Sequence, residues 1–483
     1  MRKSKLIKPD PTLKNNLMAF GYECTIPNAL IIGENIEISK LKRGSSVLGI
    51  NGNNENVIET FNRKYDGEML EITGEGMLPF MVTPEHPVLA IENNWIEHSG
   101  TNINKKAVWN LAKDLIEKHH HKNGYSLIIP RIKPHVSISE IDLIPFRKSP
   151  KGVMSAEKII LSDNICWLMG LYVAEGSPSK QGIQFSLHKK ETALRDRIID
   201  ISLNELNHPC STFNSPISNG AITTIPSKIL SRCFPVWCGK GAINKKIPEF
   251  ILFHTNESFL RSFIDGYLLG DGCSLTNKGT NQCVANTVSK ILVLQLQLAF
   301  GRLGIFAHIY NGKKSGYQIF KNRLINIHQQ YSININLSAK RTFAKITDDS
   351  MIIPIRKIKK VKYSGIVSNI ETTGNTYLLS NAVVHNCDKG WRPLIDECIE
   401  KLEEQVKKDK LDTEILQIKE KFGTLRIYLS SETDEISNIV ERYELFSSHI
   451  CELCGEFWTA KERVSHAWWK TLCDKCAKEH DWV

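Results

Sequence analysis

Two nine-residue stretches about a hundred residues apart resemble one another, and they limit what the middle of this 483-residue chain can fold into. They read Leu168-Met-Gly-Leu-Tyr-Val-Ala-Glu-Gly176 and Ile264-Asp-Gly-Tyr-Leu-Leu-Gly-Asp-Gly272. Internal self-similarity of this kind signals a duplicated unit. In each copy small residues recur at a spacing of four, Gly170 with Ala174 and Gly266 with Gly270. On a helix that spacing puts them on one face, and bare faces let two helices meet at backbone distance. Each copy ends in an acid followed by glycine, which predicts a left-handed helix end. Glu175 and Asp271 are therefore expected side by side at the negative ends of two helix dipoles, a place that favours a bridging cation such as magnesium.

The sequence around this unit has a different pattern. Residues 24–130 are short apolar stretches broken by polar turns, and residues 351–386 return to the same β-rich style. Helical patterns fill residues 160–345, so a β domain split by an α/β domain is expected. Beyond it, PLIDECIEKLEEQVKK places Leu394, Ile395, Cys398, Ile399, Leu402 and Val406 on one helical face, followed by the strand-like TLRIYLS and the helical EISNIVERYELF. The net charge of +10 is unevenly spread: +13 on residues 24–386, against +3 on residues 1–23 and −6 from Cys387 onward. A basic middle suits a polyanionic partner, although a solvated lysine-rich surface would read the same. No apolar run reaches the roughly 18 residues of a membrane helix, and the basic start lacks the apolar core of a secretory signal, so no membrane association is expected. The 13 cysteines are an odd number, and their scatter suits a reducing compartment, the cytoplasm. The triple histidine His119–His121 could bind metal but reads more simply as a solvated loop.

The ends of the β region carry chemistry. A cysteine can attack the carbonyl of the preceding residue and turn a peptide into a thioester. An asparagine can attack its own backbone carbonyl and break the chain as a succinimide, and a thiol just beyond it can receive an acyl group. Cys24, His385, Asn386 and Cys387 could together remove residues 24–386 and join Glu23 to Cys387. Over that whole span the chain resembles the inteins: CTIPNALI at its start, T-P-E-H at Thr83–His86, and IVSNIETTGNTYLLSNAVVHN running into Cys387. The resemblance implies an all-β Hint-type (hedgehog/intein) splicing domain in two segments. It gives Cys24 the first attack, His86 a proton for the departing amide nitrogen, and Thr83 a hold on that backbone. Cys387 becomes the second nucleophile, and His385 promotes cyclisation of Asn386. A free thiol is only a few per cent ionised at pH 7, so Cys24 needs such help. Splicing itself requires no cofactor. Asn369 stands where inteins often carry Asp and Thr376 where they often carry His, departures that bear on rate. A hedgehog-type autoprocessor shares the fold and Cys24 but leaves His385-Asn386-Cys387 without a purpose.

The two repeated helices, over roughly residues 155–345, resemble single-chain LAGLIDADG homing endonucleases. That resemblance implies a magnesium-dependent hydrolase with Glu175 and Asp271 as metal ligands, double-stranded DNA at the uninterrupted host-gene site as partner, and a monomeric insert. KKIPEFI at Lys245–Ile251 resembles the basic motif between the repeats, with Lys246 as the expected active-site lysine. A decayed nuclease, or a zinc-ribbon DNA regulator carrying a dead insert, are the competing readings.

Near the end, Cys451-x-x-Cys454 and Cys473-x-x-Cys476 have the spacing of a four-cysteine structural zinc site. Joined across the insert, the flanks are similar to small phage-type proteins of undefined activity. The expected fold class is multidomain. Host residues 1–23 come first, then an N-terminal splicing segment 24–150, an inserted α/β LAGLIDADG endonuclease 151–347, and a C-terminal splicing segment 348–386. An α+β host segment 387–483 follows, with a zinc ribbon over 449–480.

Overall fold

The computed structural model describes residues 24–84, 86–93, 107–115, 124–147, 157–277, 280–320, 323–336, 344–385, 390–413, 415–457, 459–465, 468–479 and 482. Residues 1–23, His119–His121, Asn386 and Cys387, and with them the C-terminal junction, lie outside the described residues, as does the side chain of His385.

Alternating strands from both sides of the duplicated unit build a single sheet. Its order runs Ile36–Glu37, Leu30–Ile31, Thr376–Leu379, Ala382–His385, Pro87–Glu92, Tyr125–Pro130, Ser350–Thr372, Asn54–Gly74, Ser46–Leu48. Early and late strands thus interleave, and neither segment completes the sheet alone. The two longest strands pair antiparallel from Ile355 opposite Gly74 to Thr372 opposite Val57. Across them Lys359 faces Glu71 and Lys362 faces Glu68, while Lys360 Nζ reaches Glu68 Oε1 at 2.8 Å. Such exposed pairs are worth little each, and their use is to favour one register over its neighbours.

The repeated helices open two equivalent halves. Helix Asp163–Glu175 leads into a sheet ordered Gly176–Pro178, Ile183–His188, Gly220–Ile225, Ser211–Asn214. Helix Glu257–Asp271 leads into one ordered Gly272–Asn277, Thr280–Thr287, Tyr331–Asn336, Ala307–Asn311. First, second, last, third is the order in both. Each helix starts on a side-chain cap: Ser162 Oγ accepts from Ile165 N–H at 3.1 Å, and Asn256 Oδ1 from Ser258 N–H at 3.1 Å, satisfying an amide that has no partner within the helix.

The helices touch where the small residues stand. A Cβ on Gly170 would lie 1.9 Å from Phe263 O, and one on Gly266 2.1 Å from Trp167 O. The expected left-handed ends do not form. Gly176 and Gly272 have φ of −93° and −86° and pass directly into strands. Glycine is needed there for closeness, since a Cβ on Gly176 would lie 2.2 Å from the Tyr172 ring and one on Gly272 2.3 Å from Leu268 O.

Sheet and helices share one apolar core, continuous from Ile31 and Val384 through Leu298 to Leu168 and Phe263. Residues beyond 390 have their own. Leu394, Ile395, Cys398, Ile399 and Leu402 of helix Arg392–Asp409 pack on Ile418, Leu425 and Ile427 of a hairpin and on helix Asp434–Ser447, with Val406 partly buried beside them. Among the described residues no helix is long and apolar enough to cross a membrane.

Gly266→Ala should force the two helices apart and destabilise the protein by about 3 kcal/mol or more. Gly316→Ala, with no atom within 4 Å of its new Cβ, should be near neutral. Denaturant unfolding of the two variants checks this.

Candidate functional site

The neighbours of Cys24 hold its backbone in place. Thr25 bridges Val82 on one side and Ser368 on the other. Its N–H donates to Ser368 O at 2.9 Å and its carbonyl accepts from Ser368 N–H at 2.8 Å, while Thr25 Oγ1 donates to Met81 O at 2.6 Å. Cys24 O accepts from Thr83 N–H at 2.9 Å, and Cys24 N–H donates to Thr83 Oγ1 at 3.0 Å. Thr83 therefore holds both polar backbone atoms of Cys24. The thiol is buried against Met69 and Val367.

A short turn carries the chain from Thr83 to His86, whose N–H donates to Thr83 O at 3.1 Å. His86 is fully buried, and the ring of Tyr377 stands edge-on to it with centroids 6.5 Å apart. Tyr377 OH donates to Asn369 Oδ1 at 3.0 Å, and Thr376 Oγ1 accepts from Ile50 N–H at 3.1 Å. Both positions that depart from the intein pattern, Asn369 and Thr376, are thus buried. Strand Ala382–His385 pairs with Pro87–Glu92 through Val384 opposite Val88. The last described residue before Asn386 is thereby on the strand next to His86.

A second cluster lies where the repeated helices end. A Cβ on Gly270 would meet Ala174 Cβ at 2.5 Å and Glu175 Cγ at 3.1 Å, so Glu175 leans on the helix that carries Asp271. Burial, with the Asp271 charge behind it, pushes Glu175 up to about 7. Burial pushes Asp271 up to about 6 against the opposing pull of Lys245. The lysine beside them is Lys245 and not the expected Lys246. Lys245 is 7% exposed; its Nζ donates to Tyr172 O and to Gly176 O, the latter at 2.7 Å, and lies 4.2 Å from the Tyr172 ring centroid. A cation on the last carbonyls of a helix is favourable, yet burial still lowers Lys245 to about 8. Lys246 is only half-buried, and its N–H donates to Cys238 O at 3.0 Å. In a lysine doublet the sequence does not tell which member faces inward; the buried Ile247 two residues on was the one usable sign.

Two half-buried carboxylates whose protons are held this tightly form a negative site short of compensation. Hard oxygen donors of this kind fit magnesium completed by water and phosphate. In the tail, the Sγ atoms of Cys451, Cys454, Cys473 and Cys476 all lie within 4.8 Å of one another, with Cys454 and Cys473 at 3.7 Å. Tetrahedral thiolates about 2.3 Å from zinc would stand roughly 3.8 Å apart, so the group fits that ion.

Residues 258–345, which include the second motif helix, match the family model described as LAGLIDADG-like domain. The chain is 25% identical over 433 residues to the ATP-dependent DNA helicase Hel308 of Thermococcus kodakarensis, covering 79% of this chain and 37% of the helicase. It is 26% identical over 372 residues to an iron-sulfur cluster assembly SufBD family protein of Mycobacterium bovis, covering 72% of this chain and 40% of that protein. The chain thus spans about two fifths of the length of these curated relatives. The crystal structure of I-DmoI in complex with DNA and Mn is similar over 36% of this chain and 90% of that one, at 17% identity and a TM-score of 0.24.

The acids give a pH dependence with a definite sign. Folded Glu175 and Asp271 hold protons more tightly than the unfolded chain does, so the unfolded chain ionises first as pH rises. Stability of the metal-free domain should fall from about pH 4.5 to about pH 7. Glu175→Gln should raise the melting temperature in EDTA at pH 8 by about 2 °C or more, change nothing at pH 4, and remove most of the stabilisation that magnesium gives the wild type at pH 8. Thermal melts with and without magnesium measure all three.

Proposed function

We propose that this chain is a precursor that excises residues 24–386 by protein splicing and ligates Glu23 to Cys387. The observation that carries the reading is Thr83, whose amide and hydroxyl grip the carbonyl and nitrogen of Cys24 at 2.9 and 3.0 Å. The nitrogen it holds is the atom that must leave when the Cys24 thiol attacks the carbonyl of Glu23. His86, one short turn away and buried, supplies the proton to that nitrogen. Cys387 then takes the acyl group, Asn386 cyclises with the help of His385, and the freed amine of Cys387 displaces its own thioester to leave a peptide. Holding two reactants together in this way can be worth effective molarities of roughly 10⁵ M or more.

The relatives support the same reading. A helicase and an iron-sulfur assembly protein each match more than 70% of this chain over less than half of their own length. A segment found in two proteins of unlike names is what a self-removing insert would produce. In this reading the sheet around Cys24 is a Hint-type domain. The duplicated unit is a homing endonuclease that cuts double-stranded DNA with magnesium on Glu175 and Asp271, with Lys245 beside them. Zinc on Cys451, Cys454, Cys473 and Cys476 stiffens the end of a host tail, where the separate buried cluster is three of these cysteines with Ala460, Leu472 and Ala477.

Asn386→Ala should block cleavage at the C-terminal junction and leave the Cys24 thioester accessible, so that added thiol releases residues 1–23. Cys24→Ala should release nothing with thiol, and release from that variant would place the nucleophile elsewhere. For the nuclease, the substrate is a plasmid carrying the joined codons for Glu23 and Cys387. Asp271→Asn should reduce magnesium-dependent cutting of it by more than about a hundredfold and still yield ligated host. Equal cutting by both proteins would remove Asp271 from the active site.

A further inference from the structure

The turn leading into strand Ala382–His385 is anchored in the duplicated unit. Ser380 and Asn381 join Thr376–Leu379 to Ala382–His385, with Leu379 opposite Ala382 and φ of 47° and 73° at the two turn residues. Positive φ at both positions is the type I′ geometry that suits hairpin twist, and serine is a poor occupant of it. Both residues are buried. Asn381 Nδ2 donates to Leu294 O at 3.1 Å and to Gln297 Oε1 at 3.0 Å, both on helix Lys290–Arg302. Gln297, itself 0% exposed, passes the connection on: its Nε2 donates to Gly76 O at 2.8 Å and Ala307 O at 2.9 Å. One buried amide thus ties the hairpin to the end of the long strand Asn54–Gly74 and to the second sheet of the duplicated unit. The far end of the same helix is held by Arg131, which donates to Gly301 O and Arg302 O at 2.9 Å and to Thr347 O and Asp348 O at 3.0 Å.

We propose that Gln297 and Asn381 are positioning residues for the C-terminal step of splicing, fixing the hairpin that ends at His385 so that Asn386 is presented for cyclisation. The proposal rests on the splicing reading above. In that step the Asn386 side-chain nitrogen bonds to its own backbone carbonyl carbon. The bond from that carbon to the Cys387 nitrogen breaks, and the proton lost by the side-chain amide ends on the freed Cys387 amine. No co-reactant enters, so the rate depends on approach geometry, and a displacement of about 1 Å can cost a hundredfold. A hairpin can also slip, and a slip of one residue reverses which face every side chain meets. The Ser-Asn turn does not resist this by its own preference. What holds it is a pair of hydrogen bonds to a helix, buried from solvent.

Two substitutions separate anchoring from turn shape. Asn381→Gly keeps a residue that accepts φ of 73° and removes the anchor; Gln297→Met keeps the volume and removes the amide. C-terminal cleavage is timed in a Cys24→Ala background, and thiol release of residues 1–23 in an Asn386→Ala background. Both substitutions should slow C-terminal cleavage by about tenfold or more and leave thiol release within about twofold. C-terminal cleavage at the unsubstituted rate in Asn381→Gly would mean that only the turn shape matters, and would overturn the proposal. Equal loss of both cleavages would mean general destabilisation and overturn it as well. If the chain with Gln297 and Asn381 intact cleaves at neither junction, the splicing reading has failed and takes this proposal with it.

Discussion

Everything around Cys24 depends on strands from opposite ends of a long segment pairing in one register. Thr25 is bridged to Val82 and to Ser368, so the first residue of the β region is fixed by a partner 56 positions on at Met81 and by another more than three hundred positions away. The side-chain period in a sheet is two, and a shift of one residue at Ser368 would turn Val367 away from the thiol it packs on. Cross-strand lysine and glutamate pairs on the long ribbon add a bias against such slips. The duplicated unit must therefore close a loop whose two ends already belong to the same sheet. It does so as a folded body with a core continuous with the sheet, which leaves little loop entropy to overcome.

The two clusters solve opposite electrostatic problems. At Cys24 no formal charge is needed to hold the backbone, because neutral hydrogen bonds from one threonine suffice in a buried place. At Glu175 and Asp271 two like charges meet at the ends of two helices, and burial raises both carboxyls. Lys245 offsets part of that from the side, though its own burial depresses it. A bound divalent cation would keep both acids ionised near neutral pH. The contact that creates this problem is the glycine-to-backbone approach at Gly170 and Gly266, which brings the two acid-bearing helix ends together.

Much of this was legible in the sequence for identifiable reasons. The duplicated helices announced themselves because backbone-distance packing demands small residues at fixed spacing. The apolar face of Leu394, Ile395, Cys398, Ile399 and Leu402 follows from helical period alone. Three things were not legible. The glycines after the acids read as left-handed caps, because glycine serves both positive φ and close approach, and sequence does not separate the two. The sequence points to Lys246 where the structure has Lys245, because a doublet hides its parity. The contacts of Asn381, Gln297, Gly76 and Arg131 were invisible, since single polar residues scattered over three hundred positions carry no periodic signal. They also join the sheet to the duplicated unit.

Self-splicing is tested by intact mass measurement after expression under reducing conditions. It should give two products: residues 24–386 ending in a succinimide or its hydrolysed form, and residues 1–23 joined by a peptide bond to residues 387–483. A natively folded chain that keeps its full 483-residue mass would contradict it.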